Sequence, residues 1–159
     1  MSLAQNCAGE LAATRDFFNR STRNLTEELS GFAPAPGLMT TAQQVAHAAQ
    51  TIDWFLEGAF RPEGFGMDFE AMAKDVAAVT SLAAARAWFE KAIAAASAAV
   101  GGKSDAELLT PLPAGPIMGG MPRLAIIGAI TDHTAHHRGV LTLHARLNGI
   151  VPPMPYMDM

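Results

Sequence analysis

The fold is decided by the stretch "PRLAIIGAITDHTAHHRGVLTLHARLNG" (residues 122–149), which has the features of one long, well-delimited helix. Pro122 is predicted as its first helical residue, and Gly149 ends it before Pro152 and Pro153. Its apolar residues recur at helical spacing and form a single stripe that also carries three histidines. The members of this stripe are Ile126, Ile130, His133, His137, Val140, Leu141 and His144.

The histidines of this helix can either bind a metal or pack. His133 and His137 are four residues apart, so their rings are stacked neighbours that can reach one point in space. Two imidazoles at this spacing supply half of a tetrahedral metal shell, but they can equally bond to polar groups of facing helices. His144 lies two turns beyond His137, which is too far along the axis for the two to share an ion.

Three further segments show helical periodicity, and the joints between them contain Gly and Pro. They run over about residues 3–29, from Thr40 to the closing segment 61–66, and over 80–102, with a possible short turn over 68–75. The Pro- and Gly-rich segment 108–120 is predicted as a long loop before the last helix, and as a lid or pocket wall. The sequence therefore predicts an all-α protein, a four-helix bundle of antiparallel helices.

Length and composition limit the other possibilities. The chain has 159 residues, the size of one domain, so a single helical domain is predicted over residues 1–159. The net charge is −4 and there is no basic run, which argues against nucleic acid as a partner. No apolar stretch approaches the roughly 20 residues of a membrane span, and the first residues do not read as a secretory leader. We expect a cytoplasmic protein without a membrane partner.

His47 is the only histidine outside the last helix that could complete a metal site. By rotation it lies with Gln43 and Trp54, well away from the centre of the apolar stripe through Ile52. A ligand role requires that the second helix use two faces. A solvated or core-packed His47 remains the alternative.

The combined pattern resembles the DinB/YfiT-like family of the DinB superfamily. The matching stretches are "TTAQQ" (40–44) ahead of His47, "HTAHHRG" (133–139) and "LNGIVPP" (147–153). The resemblance implies a homodimeric four-helix bundle in which His47, His133 and His137 bind a divalent metal ion. Zinc and nickel are the expected ions, with iron and manganese as alternatives. Val140 departs from the pattern, since many members carry a glutamine there.

Three protein ligands leave a coordination position open for chemistry. The resemblance therefore implies an enzyme that activates a low-molecular-weight thiol or water towards a small-molecule substrate, as a thiol S-transferase or a hydrolase. The alternative is a metal-free or non-catalytic dimeric bundle that acts as a binding or stress-response module.

Candidates for a general acid or base are less distinct. Asp53, Glu57 and Asp132 lie near the predicted ligands in sequence, although surface carboxylates are their simpler role. Asp53 or Glu57 could instead bond to the second nitrogen of a ligand histidine. His136 and Arg138 match the family pattern, and their roles stay open.

Overall fold

The structure is a computed structural model that describes residues 2–157. Its described residues form α-helices, one 3-10 turn and no strands, so the all-α prediction is confirmed. The helices are α1 (Leu3–Thr22), α2 (Thr41–Phe60), α3 (Phe69–Ala77), α4 (Leu82–Gly101), α5 (Asp105–Leu109) and α6 (Ala125–Leu147), and the 3-10 turn is Glu27–Leu29.

The four long helices form the predicted bundle. α2 packs on α4 and α6, and α1 packs on the same two helices, so α1 and α2 lie on a diagonal. α2 and α6 are antiparallel, because His144 near the end of α6 meets Thr41 at the start of α2, and His137 meets Gln44. This antiparallel pair carries the histidines.

α6 runs in the same direction as α1. Thr14 in the middle of α1 contacts Thr131 in the first half of α6, and Arg20 near the end of α1 donates to the carbonyl of Pro155 beyond α6. α4 is antiparallel to α1, because Arg86 near the start of α4 binds Thr22 at the end of α1. The connection after α4 stays at the end of the bundle where α1 starts, and the Leu3 amide donates to Asp105 there. The bundle is therefore antiparallel across α2 and α6 and parallel across α1 and α6.

Apolar side chains of all four long helices form one core. Phe18 of α1 and Phe89 of α4 stack at its centre with ring centroids 4.3 Å apart, and both are fully buried. Each buried side chain of this size contributes about 1.5–3 kcal/mol through removal of apolar surface from water. Ile52 of α2 and Ile130 of α6 belong to the same core.

α1 is shorter than its apolar spacing predicts. The prediction of a helix to residue 29 is wrong, because α1 ends at Thr22 and the chain turns before the 3-10 turn Glu27–Leu29. The half-buried guanidinium of Arg86 binds the carbonyl oxygens of Thr22 and Leu25, which satisfies backbone groups at this helix end. Leu25 is buried in the core from outside the helix, so the apolar spacing continues although the helix does not.

The start of α6 also differs from the prediction. Pro122 is not its first helical residue, since α6 begins at Ala125. The amides of Arg123 and Leu124 donate to the carbonyls of Thr110 and Leu108, so contacts to the α5 region replace a cap at this end. The loop predicted over 108–120 accordingly includes the end of α5 and is otherwise without helix.

The cap of α2 follows the prediction. The hydroxyl of Thr40 accepts from the amide of Gln43, and the Gln43 side chain accepts from the amide of Thr40. Gly149 adopts φ +73° after α6, a conformation that favours glycine. Within residues 2–157, no helix combines the length and apolar character of a membrane span.

Candidate metal centre

α2 and α6 bring three histidines together. His47, His133 and His137 each offer a ring nitrogen, and these nitrogens all lie within 4.8 Å of one another. The His47 ring lies 5.1 Å from the His133 ring and 4.9 Å from the His137 ring, measured between centroids. His133 and His137 are four residues apart on α6, and their ring centroids lie 4.5 Å apart. The structure thus contains the cluster that the sequence predicted.

His47 lies off the core stripe of α2 and still faces α6, because α2 has a second contact face. Gln43, His47, Gln50 and Trp54 follow one another at helical spacing and lie off the core stripe. This face meets α3: the Gln43 and Gln50 amides donate to carbonyls of α3, and the Trp54 ring packs near Phe69. α2 therefore packs on two sides, and His47 is half-buried between them.

Gln44 fixes the orientation of one ring. Its Oε1 can only accept, so Nδ1 of His137 donates to it, over 2.6 Å. The neutral His137 ring then carries no proton on Nε2, which faces Nε2 of His133 at 3.3 Å. Sequence reasoning missed Gln44, although its position three residues before His47 places both on one side of α2.

The geometry of the cluster fits a metal ion. Two imidazole nitrogens bound to one tetrahedral ion at about 2.0–2.1 Å lie about 3.3–3.4 Å apart, and the Nε2 atoms of His133 and His137 lie 3.3 Å apart. Nδ1 of His133 is buried and has no hydrogen-bond partner within the described residues. An ion between the two Nε2 atoms would bind both rings at the atoms that face each other.

The protonation state of the rings also suits a metal. Burial, together with the neighbouring His47, lowers the pKa of His133 to about 4. Burial and the nearby His133 lower the pKa of His137 to about 3, and burial lowers the pKa of His47. All three rings are therefore neutral at pH 7, and neutral imidazole is the form that binds metal.

The cluster opens into a cavity of about 690 Å³, a volume that is ordinary for a small-molecule site. Its other walls come from the segment before α2 and from the last turns of α6. They comprise Pro34, Gly37, Leu38, Met39, Val140 and Leu143. The segment 108–120 was predicted as a lid or pocket wall. Its residues 113–117 line a separate, smaller pocket with Glu63, Gly64, Phe65 and Met67, and none of the segment lines the cavity at the histidines.

The sequence model of the DinB superfamily matches residues 10–141, most of the chain, including all three clustered histidines. The chain belongs to the DinB superfamily. A search of the curated proteins found no match. The match to the family model confirms the family that the sequence pattern predicted.

The three carboxylates suggested by the sequence lie away from the cluster. Asp53 accepts from Nε1 of Trp88 at 2.7 Å, and Glu57 forms an exposed ion pair with Arg61 at 3.2 Å. Asp132 is exposed on α6. None of the three lines the cavity. A hydrogen bond to one of the clustered histidines was considered for Asp53 or Glu57, and the structure shows such a bond between His137 and Gln44.

His136 and Arg138 lie on different sides of α6. His136 is exposed and lines the cavity, with its ring centroid 4.9 Å from that of His137. Arg138 lines a separate pocket with Tyr156, next to α1. Of these two family-pattern residues, His136 is therefore the one positioned to contact a ligand in the cavity.

His144 has a packing role in this DinB-superfamily protein. It is 1% exposed, its Nδ1 lies 3.0 Å from the hydroxyl of Thr41, and its ring meets Phe32 edge to face. These contacts join the end of α6 to the start of α2. They fix the register that places His133 and His137 opposite His47.

The depressed histidine pKa values predict acid sensitivity of the metal-free protein. The unfolded chain takes up protons at His133 and His137 below about pH 6.5, whereas the folded protein, with pKa values of about 4 and 3, does so only at lower pH. The stabilising contribution of the neutral rings is present above pH 6.5 and is lost as the pH falls towards 3. We expect the thermal midpoint of chelator-treated protein to fall over this range.

Thermal unfolding followed by circular dichroism at several pH values checks this prediction. The double variant His133→Gln, His137→Gln is the control, because carboxylates elsewhere also titrate in this range. We expect a shallower decline in the double variant. The same pH dependence in both proteins would contradict the assignment.

Proposed function

We propose that this protein is a divalent-metal enzyme in which His47, His133 and His137 hold the ion and a low-molecular-weight thiol or water is activated for attack on a small substrate. Zinc or nickel is the proposed ion, with iron or manganese as alternatives. The observation that carries the proposal is the convergence of three neutral imidazoles from two helices at one end of an open cavity.

A bound ion would supply Lewis acidity, which lowers the pKa of a thiol or water molecule. The protein contributes orientation. Gln44 holds His137 with Nε2 turned towards His133, and the packing of His144 on Thr41 keeps α6 in register with α2. Three protein ligands leave a position for a thiol, water or substrate group.

The cavity walls favour a partly apolar substrate. Leu38, Val140 and Leu143 line the cavity together with the histidines and make part of its wall apolar. A site with apolar walls strengthens the interaction between a charged nucleophile and a cation. The reaction class is therefore transfer to, or hydrolysis of, a small electrophile, as in a thiol S-transferase or a hydrolase.

His136 is the proposed group for proton transfer. It lines the cavity beside His137, whereas no carboxylate of the described residues does so. Imidazole is the side chain most often used as a general acid or base. In this role His136 would take the proton from the attacking thiol or water and return it to the leaving group.

Gln44→Ala is expected to weaken metal affinity by about 10–100-fold, the usual effect of removing a hydrogen-bond partner of a ligand histidine. Without the Gln44 oxygen, the His137 ring is free to rotate or to change tautomer. Competition titration with a chromogenic chelator measures the affinity. The control is Gln43→Ala, which removes the adjacent amide at the helix cap, and equal losses in both variants would contradict the role of Gln44.

Cobalt substitution tests the proposed function. An open position predicts that adding a small thiol such as 2-mercaptoethanol changes the visible spectrum and introduces a sulfur-to-cobalt charge-transfer band. The same addition to cobalt-treated His133→Ala should give no such band. A spectrum unchanged by thiol and by azide would indicate a closed shell and contradict a catalytic role for the ion.

A homodimer is also proposed. Leu143 and Leu147, about one turn apart on α6, are each more than half exposed, and Val151 beyond the helix is 77% exposed. Apolar side chains grouped in this way are typical of surfaces that contact a partner. Such an interface would adjoin the cavity, because Leu143 also lines it.

A further inference from the structure

A second cavity lies on the other side of His47. It has a volume of about 220 Å³ and lies between α2 and α3, open to solvent along one side. Its side chains are mostly apolar: Met39, Phe69, Met72, Ala73, Val76 and Ala77. We call this space the α3 pocket. Met39 and His47 line both the α3 pocket and the larger cavity at the histidine cluster, so the two spaces adjoin at these side chains.

The polar groups of the α3 pocket are used to attach α3. The Gln50 amide donates to the carbonyl of Met72 at 2.9 Å, and the Gln43 amide donates to the carbonyl of Ala77 at 3.3 Å. Their hydrogen-bonding capacity is thus partly spent within the protein. What the pocket offers a ligand is chiefly an apolar surface, with the imidazole of His47 at one side.

We propose that the α3 pocket binds the apolar part of the substrate, an alkyl chain or an aromatic ring of roughly six carbon atoms, while the polar reacting group lies at the metal. This inference rests on the proposed function, because it assigns the specificity of the same site. An apolar cavity of about 150 Å³ in another protein takes up benzene, so about 220 Å³ accommodates a group of this size.

His47 connects the histidine cluster with the α3 pocket, because it belongs to the first and lines the second. A ligand group held by an ion at the cluster would therefore lie beside one wall of the α3 pocket. Met39 is the other shared wall, and its unbranched side chain can adopt several rotamers to admit a chain.

A series of hydroxamic acids tests the proposal on zinc-loaded protein. The hydroxamate group chelates the metal, and the tail is varied from acetohydroxamate through butanohydroxamate to hexanohydroxamate, with benzohydroxamate as the aromatic member. Isothermal titration calorimetry gives each Kd. We expect affinity to rise about 4-fold per added methylene, or about 200-fold over the four methylenes that separate the acetyl from the hexanoyl member.

Ala73→Trp and Ala77→Trp place an indole in the α3 pocket and are expected to remove this dependence on tail length. Both positions are exposed at the edge of the pocket, so the substitutions do not require a change in the core. Ala71→Trp is the matched control, since Ala71 is exposed on the same helix and does not line the pocket. It should keep the wild-type ratio of affinities.

The outcomes separate this inference from the proposed function. Binding of acetohydroxamate with no gain for longer tails would overturn the inference alone. A gain that persists in both pocket variants, or that is lost equally in Ala71→Trp, would also overturn it. No binding of any hydroxamate to zinc-treated protein would overturn the proposed function, and the inference with it.

Discussion

Replacing His133 or His137 by alanine is expected to weaken the binding of zinc or nickel by more than ~100-fold. Loss of a hydrogen-bond partner of a ligand already costs 10–100-fold, and loss of the ligand itself removes a metal–nitrogen bond. The two Nε2 atoms lie 3.3 Å apart, so each variant removes one nitrogen of a pair with the spacing of two ligands on one ion. Alanine favours helix, so α6 should persist in both variants.

His136→Ala is the matched control for this prediction. His136 lies between the two proposed ligands in sequence and is exposed, and its nitrogen is not part of the three-histidine cluster. Its loss should leave metal affinity within a few-fold of wild type. Competition with a chromogenic chelator measures all three variants. Equal affinity in His137→Ala and His136→Ala would exclude the ligand assignment.

Phe89→Ala is expected to lower the free energy of unfolding by about 3–5 kcal/mol. Phe89 is fully buried and stacks on Phe18 between α4 and α1, so truncation leaves a cavity and removes an aromatic contact. This loss is a large fraction of the 5–15 kcal/mol that is typical of a whole domain. Because the pair lines no part of the histidine cavity, metal affinity per folded molecule should not change.

Urea titration followed by circular dichroism measures this effect. Phe69→Ala is the control, because Phe69 is 50% exposed on α3 and should cost less than about 1 kcal/mol. A cost for Phe89→Ala no greater than that of Phe69→Ala would show that the pair does not stabilise the core. Weaker metal binding by folded Phe89→Ala would contradict the prediction that this core pair does not influence the histidine site.

The helix pattern was predictable where a local signal marks a helix end. The Thr40 and Gln43 capping box starts α2 as expected, and the positive φ of Gly149 follows α6. The end of α1 was not predictable, because Leu25 continues the apolar spacing while Arg86, distant in sequence, binds the carbonyl of Thr22. Periodicity reports burial, and burial continues past a helix end when the following segment also packs on the core.

The site was predictable to the extent that it depends on one helix. The spacing of His133 and His137 on α6 placed their rings together without knowledge of any other element. The contribution of His47 could not be derived from rotation, since the face that carries it is packed by α3 as well as by α6. Gln44 was missed because its partner, His137, lies on another helix.

The most direct test of the account is the metal content of natively purified protein and of His47→Ala, measured per chain by elemental analysis. His47 is the one proposed ligand that α6 does not supply, so it distinguishes a site built between two helices from a histidine pair on one. The account predicts about one divalent ion per chain in the wild type and its loss in His47→Ala. Metal-free wild type, even after reconstitution with zinc and nickel, or full occupancy in His47→Ala, would contradict it; the first result would make the histidines packing groups and favour a metal-free binding module.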